Sequence, residues 1–395
     1  MRLTGMPLTL LAYPAETIPN RHFAGNELGA LDRIYLPEAL APLLPDPPIE
    51  AREFIEDDNR SAIVPESTAT LDGQPLFLSV KGVGSGVDPY SWRALDRAYA
   101  AELSDDPEVR ARLQRTPPDP RDRFLTGELW LRGAPYGGQG LEHATTALRV
   151  SEQARGTDLA GFRIAPVVKI ALLPKALEEQ LRSIHWYRKF PGRMAQELRL
   201  VPSNVRIFFH GKNTLGSNVR HIFDQFQVDT NERALTFEAN FVRSAVAMLT
   251  LFARTLKFDA ARGKYGGLDY YDVWLDKDAV LAPDGTAFFV DLEGIEEVFV
   301  ERAGVREKVE DQVYRTLYEM MFAYEQIESE RTRRFGPAGT RKRQFAAVLR
   351  RALAEDRFVR LVDERGHLEL SIRNALGEES LYSRFRLVDA SHGEL

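Results

Sequence analysis

GGLDYYDVWLDKDAVLAPDGTAFFVDLEG, residues 266–294, is the stretch on which the reading of this chain turns. It sets four acids, Asp269, Asp272, Asp276 and Asp278, ahead of the turn Pro283-Asp284-Gly285, and the apolar run Phe288-Phe289-Val290 then ends on Asp291. A Pro-Asp-Gly between two short apolar runs predicts a hairpin, with the carboxylates before and after it at one end of a two-stranded ribbon. Clustered carboxylates repel one another unless a cation lies among them, and hard oxygen ligands suit Mg²⁺ holding a phosphate. The competing reading is a solvated acidic turn, since loops are commonly rich in Asp.

The same stretch resembles the catalytic half of protein kinases, in which a catalytic-loop Asp is followed by an Asn and later by the Asp of Asp-Phe-Gly. That resemblance makes Asp272 the catalytic-loop acid. Asp278 or Asp276 stands for the metal-binding Asn, and Asp291-Leu292-Glu293-Gly294 stands for Asp-Phe-Gly. Two departures are visible: no His-Arg-Asp precedes the acids, and the strict Asn register falls on Lys277.

Outward from this stretch, composition narrows the possibilities. A chain of 395 residues with 44% hydrophobic content suffices for two or three domains or lobes, each with its own core. A net charge of -6 argues against a general nucleic-acid binder, which carries a basic excess. The absence of cysteine excludes disulfide scaffolds, cysteine metal sites and thiol nucleophiles. The early apolar run 6–12 is broken by Pro7 and Thr9, and is far shorter than the roughly 20 residues a membrane helix needs. With no clear signal peptide either, the expected location is the cytoplasm, without a membrane partner.

Residues 1–60 carry many prolines, densest in Pro42-Leu43-Leu44-Pro45-Asp46-Pro47-Pro48, and read as an extended N-terminal arm. From residue 61 the pattern becomes short apolar runs between turns. Leu71-Asp72-Gly73-Gln74 predicts a hairpin turn, and residues 75–81 predict a strand ending in Lys81. A lysine ending an apolar strand reads either as a snorkelling edge residue or as a phosphate-binding lysine. The glycines that follow, in Lys81-Gly82-Val83-Gly84-Ser85-Gly86, let a backbone approach an anion closely. Helical composition over 92–114 and a Pro-rich loop over 115–123 read as an insertion.

Further on, residues 127–131 predict a strand, and a Gly-rich loop over 133–140 opens a helix from 141 to about 154. Periodicity places Leu141, Thr145, Leu148 and Glu152 on one face of that helix. A buried glutamate there needs a cation. Residues 164–173 predict a strand holding Lys169, with Lys175 just beyond, and 176–200 reads as a largely helical, basic segment. Phe241, Ala245, Met248, Phe252 and Leu256 recur at spacings of three and four, the buried stripe of a long helix. Val309, Val313, Leu317, Met320 and Tyr324 mark another such helix. Arg341-Lys342-Arg343 starts a helix to about 356, and a final hairpin joins 358–362 to 367–372.

The combination Lys81-Gly82-Val83-Gly84 with Pro89-Tyr90-Ser91 shortly after resembles the selenoprotein O family of kinase-fold proteins. Leu131-Arg132 ahead of the helix carrying Glu142 is similar to that family's Leu-Arg segment before its ion-pair glutamate. The resemblance covers about 76–175 and 266–294, with gaps. It implies that Lys81, Gly82 and Gly84 bind nucleotide phosphate and that Glu142 holds Lys81, with Glu152 the alternative from periodicity. Lys169 and Lys175 would stand where the family carries two nucleotide-binding arginines, though a lysine is a point charge and not a bidentate fork.

The expected fold class is therefore α+β: a two-lobed protein-kinase-like fold with a mainly β small lobe, 61–175, and a mainly α large lobe, 176–395. The expected activity is an ATP-dependent, Mg-requiring transfer of a phosphoryl or adenylyl group to the hydroxyl of a protein or small-molecule acceptor. Asp291 with Asp278 or Asp276 would bind Mg²⁺, and Asp272 would orient or deprotonate that hydroxyl. The alternative is a catalytically inactive kinase-fold binding or scaffold protein.

Overall fold

The structure is a computed structural model that describes residues 7–23, 32–37, 48–58, 61–71, 74–83, 139–155, 163–183, 192–206, 219–270, 273, 275, 278–337, 341–364, 367–377 and 379–385. It is α+β, and the chain divides into two compact units. One comprises residues 2–152 and 165–204; the other comprises 153–164 and 205–395, together with Met1. Among the described residues, no helix is long and apolar enough to cross a membrane.

The first unit is built on a nine-stranded sheet. Its strands are β1 (Pro7–Pro14), β2 (Thr17–Pro19), β3 (Arg33–Pro37), β4 (Glu50–Asp58), β5 (Ser61–Leu71), β6 (Gln74–Lys81) and β7 (Gln139–Gly140). Beyond helix α1 (Leu141–Arg155) and β8 (Arg163–Ile164), which belongs to the second unit, come β9 (Val167–Leu172), helix α2 (Lys175–Ser183) and β10 (Met194–Val201). The spatial order is β2-β9-β10-β6-β5-β4-β1-β3, with β7 also paired to β10. All the pairings are antiparallel. The expected hairpin is present, because Leu71 of β5 pairs with Gln74 of β6.

Two expectations for this unit are corrected. The described residues of 7–58 do not form an extended arm: they supply β1 to β4, and Leu10, Ala12, Ile34, Tyr35, Leu36 and Phe54 are fully buried, while the proline-dense run 42–47 lies outside the described residues. The prolines mislead because Pro7, Pro14, Pro19 and Pro37 lie at strand ends, where a missing N–H is tolerated. Nor is the end of 176–200 helical: α2 spans Lys175–Ser183, residues 184–191 lie outside the described residues, and 194–201 is β10, buried along its whole length between β6 and β9. Met194 to Leu200 are all good helix formers, so local propensity favours helix there. Pairing on both sides and burial of both faces override that preference. The small lobe expected to end at 175 thus lacks β10, which the sheet requires.

In the second unit three helices form the main core: α4 (Asn231–Leu249), α6 (Val305–Phe335) and α7 (Arg341–Leu353), with shorter α3 (Val219–Gln225) and α5 (Leu251–Thr255). The helix α4 starts on Thr230, whose hydroxyl accepts from Arg233 N. Of the expected stripe, Phe241, Ala245 and Met248 are buried on α4, while Phe252 is buried on α5 and Leu256 just beyond it, because the expected single helix is broken at Thr250. Val309, Val313, Met320 and Tyr324 of α6 are buried too. Small sheets flank this core: β11 (Lys257–Asp259), β12 (Lys264–Tyr270) and β15 (Ile295–Val300); β13 (Ala279–Leu281) and β14 (Ala287–Phe289) with β8; and β16 (Val359–Glu364), β17 (His367–Arg373) and β18 (Glu379–Phe385). The final hairpin expected from the sequence is β16–β17, extended by β18.

Charge is buried inside this core. Arg331 of α6 donates to Glu238 of α4 at 2.5 Å, and both side chains are fully buried. Burial pushes Glu238 up to about 7, against the opposing pull of Arg331. Folded protein therefore holds a proton on Glu238 at pH values where the unfolded chain, with an ordinary value of 4.5, has lost it. Stability carried by this group is present at acid pH and is lost as pH rises from 4.5 to about 7, a change of about 3 kcal/mol. Urea titrations of wild type and Glu238→Gln across that window should show wild type losing ground as pH rises. Parallel pH profiles would refute this assignment.

Candidate functional site

The hairpin foreseen in the central stretch is present, and α4 holds it. Ala279 pairs with Phe289 and Leu281 with Ala287. At the turn Gly285 N donates to Ala282 O at 2.9 Å, and Thr286 N donates to the Asp284 carboxylate at 3.0 Å. Three residues of α4 seat the ribbon. Gly285 lies against the backbone of Phe237, Asn240 Nδ2 donates to Asp284 O at 2.9 Å, and Ala287 N donates to Ser244 Oγ at 3.1 Å. Positions 237, 240 and 244 share one helix face at spacings of three and four. Leu281 N also donates to Val205 O at 2.7 Å, and Phe289 pairs in parallel with Ile164 of β8.

Consequently Asp278 and Asp291 come to the same end of the ribbon. Val290 N donates to Asp278 O at 2.8 Å, which closes the ladder one position before Asp291. The Asp278 side chain is buried, while Asp291 is half-buried at the head of a 3-10 turn (Leu292–Gly294) to which its carboxylate makes no capping bond. Two carboxylates are a fitting donor set for Mg²⁺, which binds through one or two such groups and the phosphates of its nucleotide. Among the described residues, no group of three or more His, Asp or Glu side chains is arranged to hold a metal. Asp272 and Asp276 lie outside the described residues.

The fourth acid of the stretch has a different task. Asp269 lies on β12 and is buried; it pairs with Lys308 of α6 and accepts from Gln312 Nε2 at 2.9 Å. Gln312 in turn accepts from Phe252 N at 2.7 Å, and Tyr270 Oη donates to Gln312 O at 2.8 Å. Asp269 therefore fastens β12 to α6. The presumed acidic cluster divides because 264–270 is a strand with its own partners, β11 and β15.

In the first unit, Lys81 closes β6 and is only 2% exposed, far more buried than a snorkelling edge lysine. Gly82 follows with φ +98, a left-handed conformation suited to glycine, and Gly84 lies outside the described residues. The glutamates expected to hold Lys81 have other surroundings. Glu142 is exposed in the first turn of α1. Glu152 accepts from Arg21 N at 2.9 Å and lies 3.6 Å from Arg21 Nε.

The two further lysines named from the sequence are similarly engaged or exposed. Lys169 donates to Asp32 at 2.6 Å, a bond that, with a second from Thr17, holds the Asp32 carboxyl below its ordinary value. Lys175 is exposed at the start of α2.

The residue that sequence reasoning missed is Glu197. The antiparallel register of β6 and β10 sets it directly opposite Lys81, and β5 sets Ser61 on the other flank. Opposed residues of this kind have Cβ atoms about 5 Å apart on one face of the sheet. The only signal available was alternation of Gln196, Leu198 and Leu200 with Glu197 and Arg199, masked by strong helix propensity. The expected features at 92–114, 115–123, 127–131 and 133–138 lie outside the described residues. No family model, curated protein or solved structure matches this chain.

Proposed function

We propose that the protein is a kinase-like, ATP-dependent transferase that moves a phosphoryl or adenylyl group to a hydroxyl acceptor, on a two-lobed protein-kinase-like fold. The observation that carries this reading is the β13–β14 ribbon, which brings Asp278 and Asp291 to the same end across thirteen positions of sequence. Asp278 and Asp291 would hold Mg²⁺, whose chemistry here is neutralisation of phosphate charge. Further support comes from the buried Lys81 at the end of β6, followed by Gly82 in a left-handed conformation that a residue with a Cβ would not readily adopt. Lys81 would neutralise phosphate oxygens, and Asp272 would orient or deprotonate the attacking hydroxyl. Catalysis would rest on positioning and electrostatics.

The test is incubation with Mg²⁺ and ATP labelled separately on the α and γ phosphates. Alpha label on a product identifies AMP transfer, and gamma label identifies phosphoryl transfer. Either signal should vanish in Lys81→Met and Asp291→Ala. Calorimetry should show wild type binding ATP with Mg²⁺. No label transfer and no binding would remove the reading. Binding without turnover would favour the inactive scaffold.

A further inference from the structure

We propose that Glu197, on strand β10, is the positioning residue for Lys81, in the place that sequence reading gives to Glu142 or Glu152 on α1. The proposal rests on the reading of Lys81 as the phosphate-binding lysine.

Glu197 is fully buried. Its Oε1 accepts from Gln139 Nε2 at 2.5 Å, while its Oε2 is buried with no hydrogen-bond partner. A carboxylate oxygen withdrawn from water without a donor is costly, so a site built this way calls for a cation. Two cationic side chains share the sheet face with it. Arg199, two residues along β10, donates to Ser61 Oγ at 3.0 Å and to Ser79 Oγ at 3.4 Å. Lys81 is the residue opposite Glu197 in the ladder, and its flexible stem puts the ammonium within reach of a carboxylate across one strand spacing. Gln139 holds one carboxylate oxygen, and the other, which has no donor in the structure, is the one an ammonium reaching across the strand spacing would meet. Both residues are then set by a hydrogen-bonded ladder, and sites on regular elements hold geometry more precisely than sites on loops.

Two measurements test the assignment. A double-mutant cycle of Lys81→Met and Glu197→Gln, read by urea unfolding without nucleotide, should be non-additive. The double variant's unfolding constant should differ at least about fivefold from the product of the single effects. Additivity overturns the pairing whatever ATP does.

Kinetically, Glu197→Gln should lower kcat/KM for ATP by about 100-fold, mostly through kcat, and Glu197→Asp should restore it to within about tenfold. Glu142→Gln and Glu152→Gln should each lose less. A wild-type kcat/KM in Glu197→Gln, or a larger loss in either α1 variant, overturns the proposal. If wild type itself transfers nothing, the transferase reading fails, and the unfolding cycle still decides the pairing.

Discussion

Replacing Arg331 by methionine is expected to destabilise the protein by about 3–5 kcal/mol at pH 8, the range for removing one partner of a buried ion pair. The guanidinium donates to Glu238 from a fully buried position and lies 3.8 Å from Glu328 as well. Without it, Glu238 must either ionise in a dry helix interface or take up a proton. At pH 5 the carboxyl is already largely protonated, because burial holds it near 7, so the loss should be smaller there than at pH 8. The double variant Glu238→Leu/Arg331→Met removes both charges and should recover most of the lost stability. Urea midpoints for the single and double variants at both pH values check this. An Arg331→Met loss that does not change with pH would contradict the protonation of Glu238.

The second large effect is expected from Gly285→Ala. This glycine has φ +90, and a Cβ there would lie 2.3 Å from Phe237 O and 2.7 Å from Phe237 Cα. Those are backbone atoms of α4, so neither a rotamer change nor a small shift of a flexible tip relieves the clash. Left-handed strain of about 1–2 kcal/mol adds to an overpacking cost of about 1–3 kcal/mol, giving about 3 kcal/mol in total. Gly263→Ala is the control, because φ is +64 there with nothing within 4 Å, and only the conformational part should appear. Equal losses in the two variants would show that the seat on α4 contributes nothing. Since the turn joins the two strands that Asp278 and Asp291 flank, Gly285→Ala should also lower any Mg²⁺-dependent ATP binding.

Much of the second unit was legible because its signals are local. The Pro-Asp-Gly turn, the stripe from Phe241 to Leu256 and the stripe of α6 are set by turn chemistry and helical period, which a neighbouring segment cannot easily reverse. The same holds for the β5–β6 hairpin and for the strand ending in Lys81. The failures share a cause. Strand β10 is written in helix-forming residues and becomes a strand only because β6 and β9 pair with it on either side. Proline spacing hid β1 to β4, whose partners lie up to 48 residues away within this group and, for β2, 150 or more residues away on β9.

By itself, then, the sequence determined the turn and strands that bring Asp278 and Asp291 to one end of a ribbon, and the strand that ends in Lys81. Tertiary structure alone decided that Asp269 would serve α6, that Glu152 would serve Arg21, and that Glu197 would face Lys81. A turn is encoded by the few residues that form it. Which acid lies opposite a given lysine depends on the register between strands more than a hundred residues apart, and that register is fixed only when both faces of the sheet are buried.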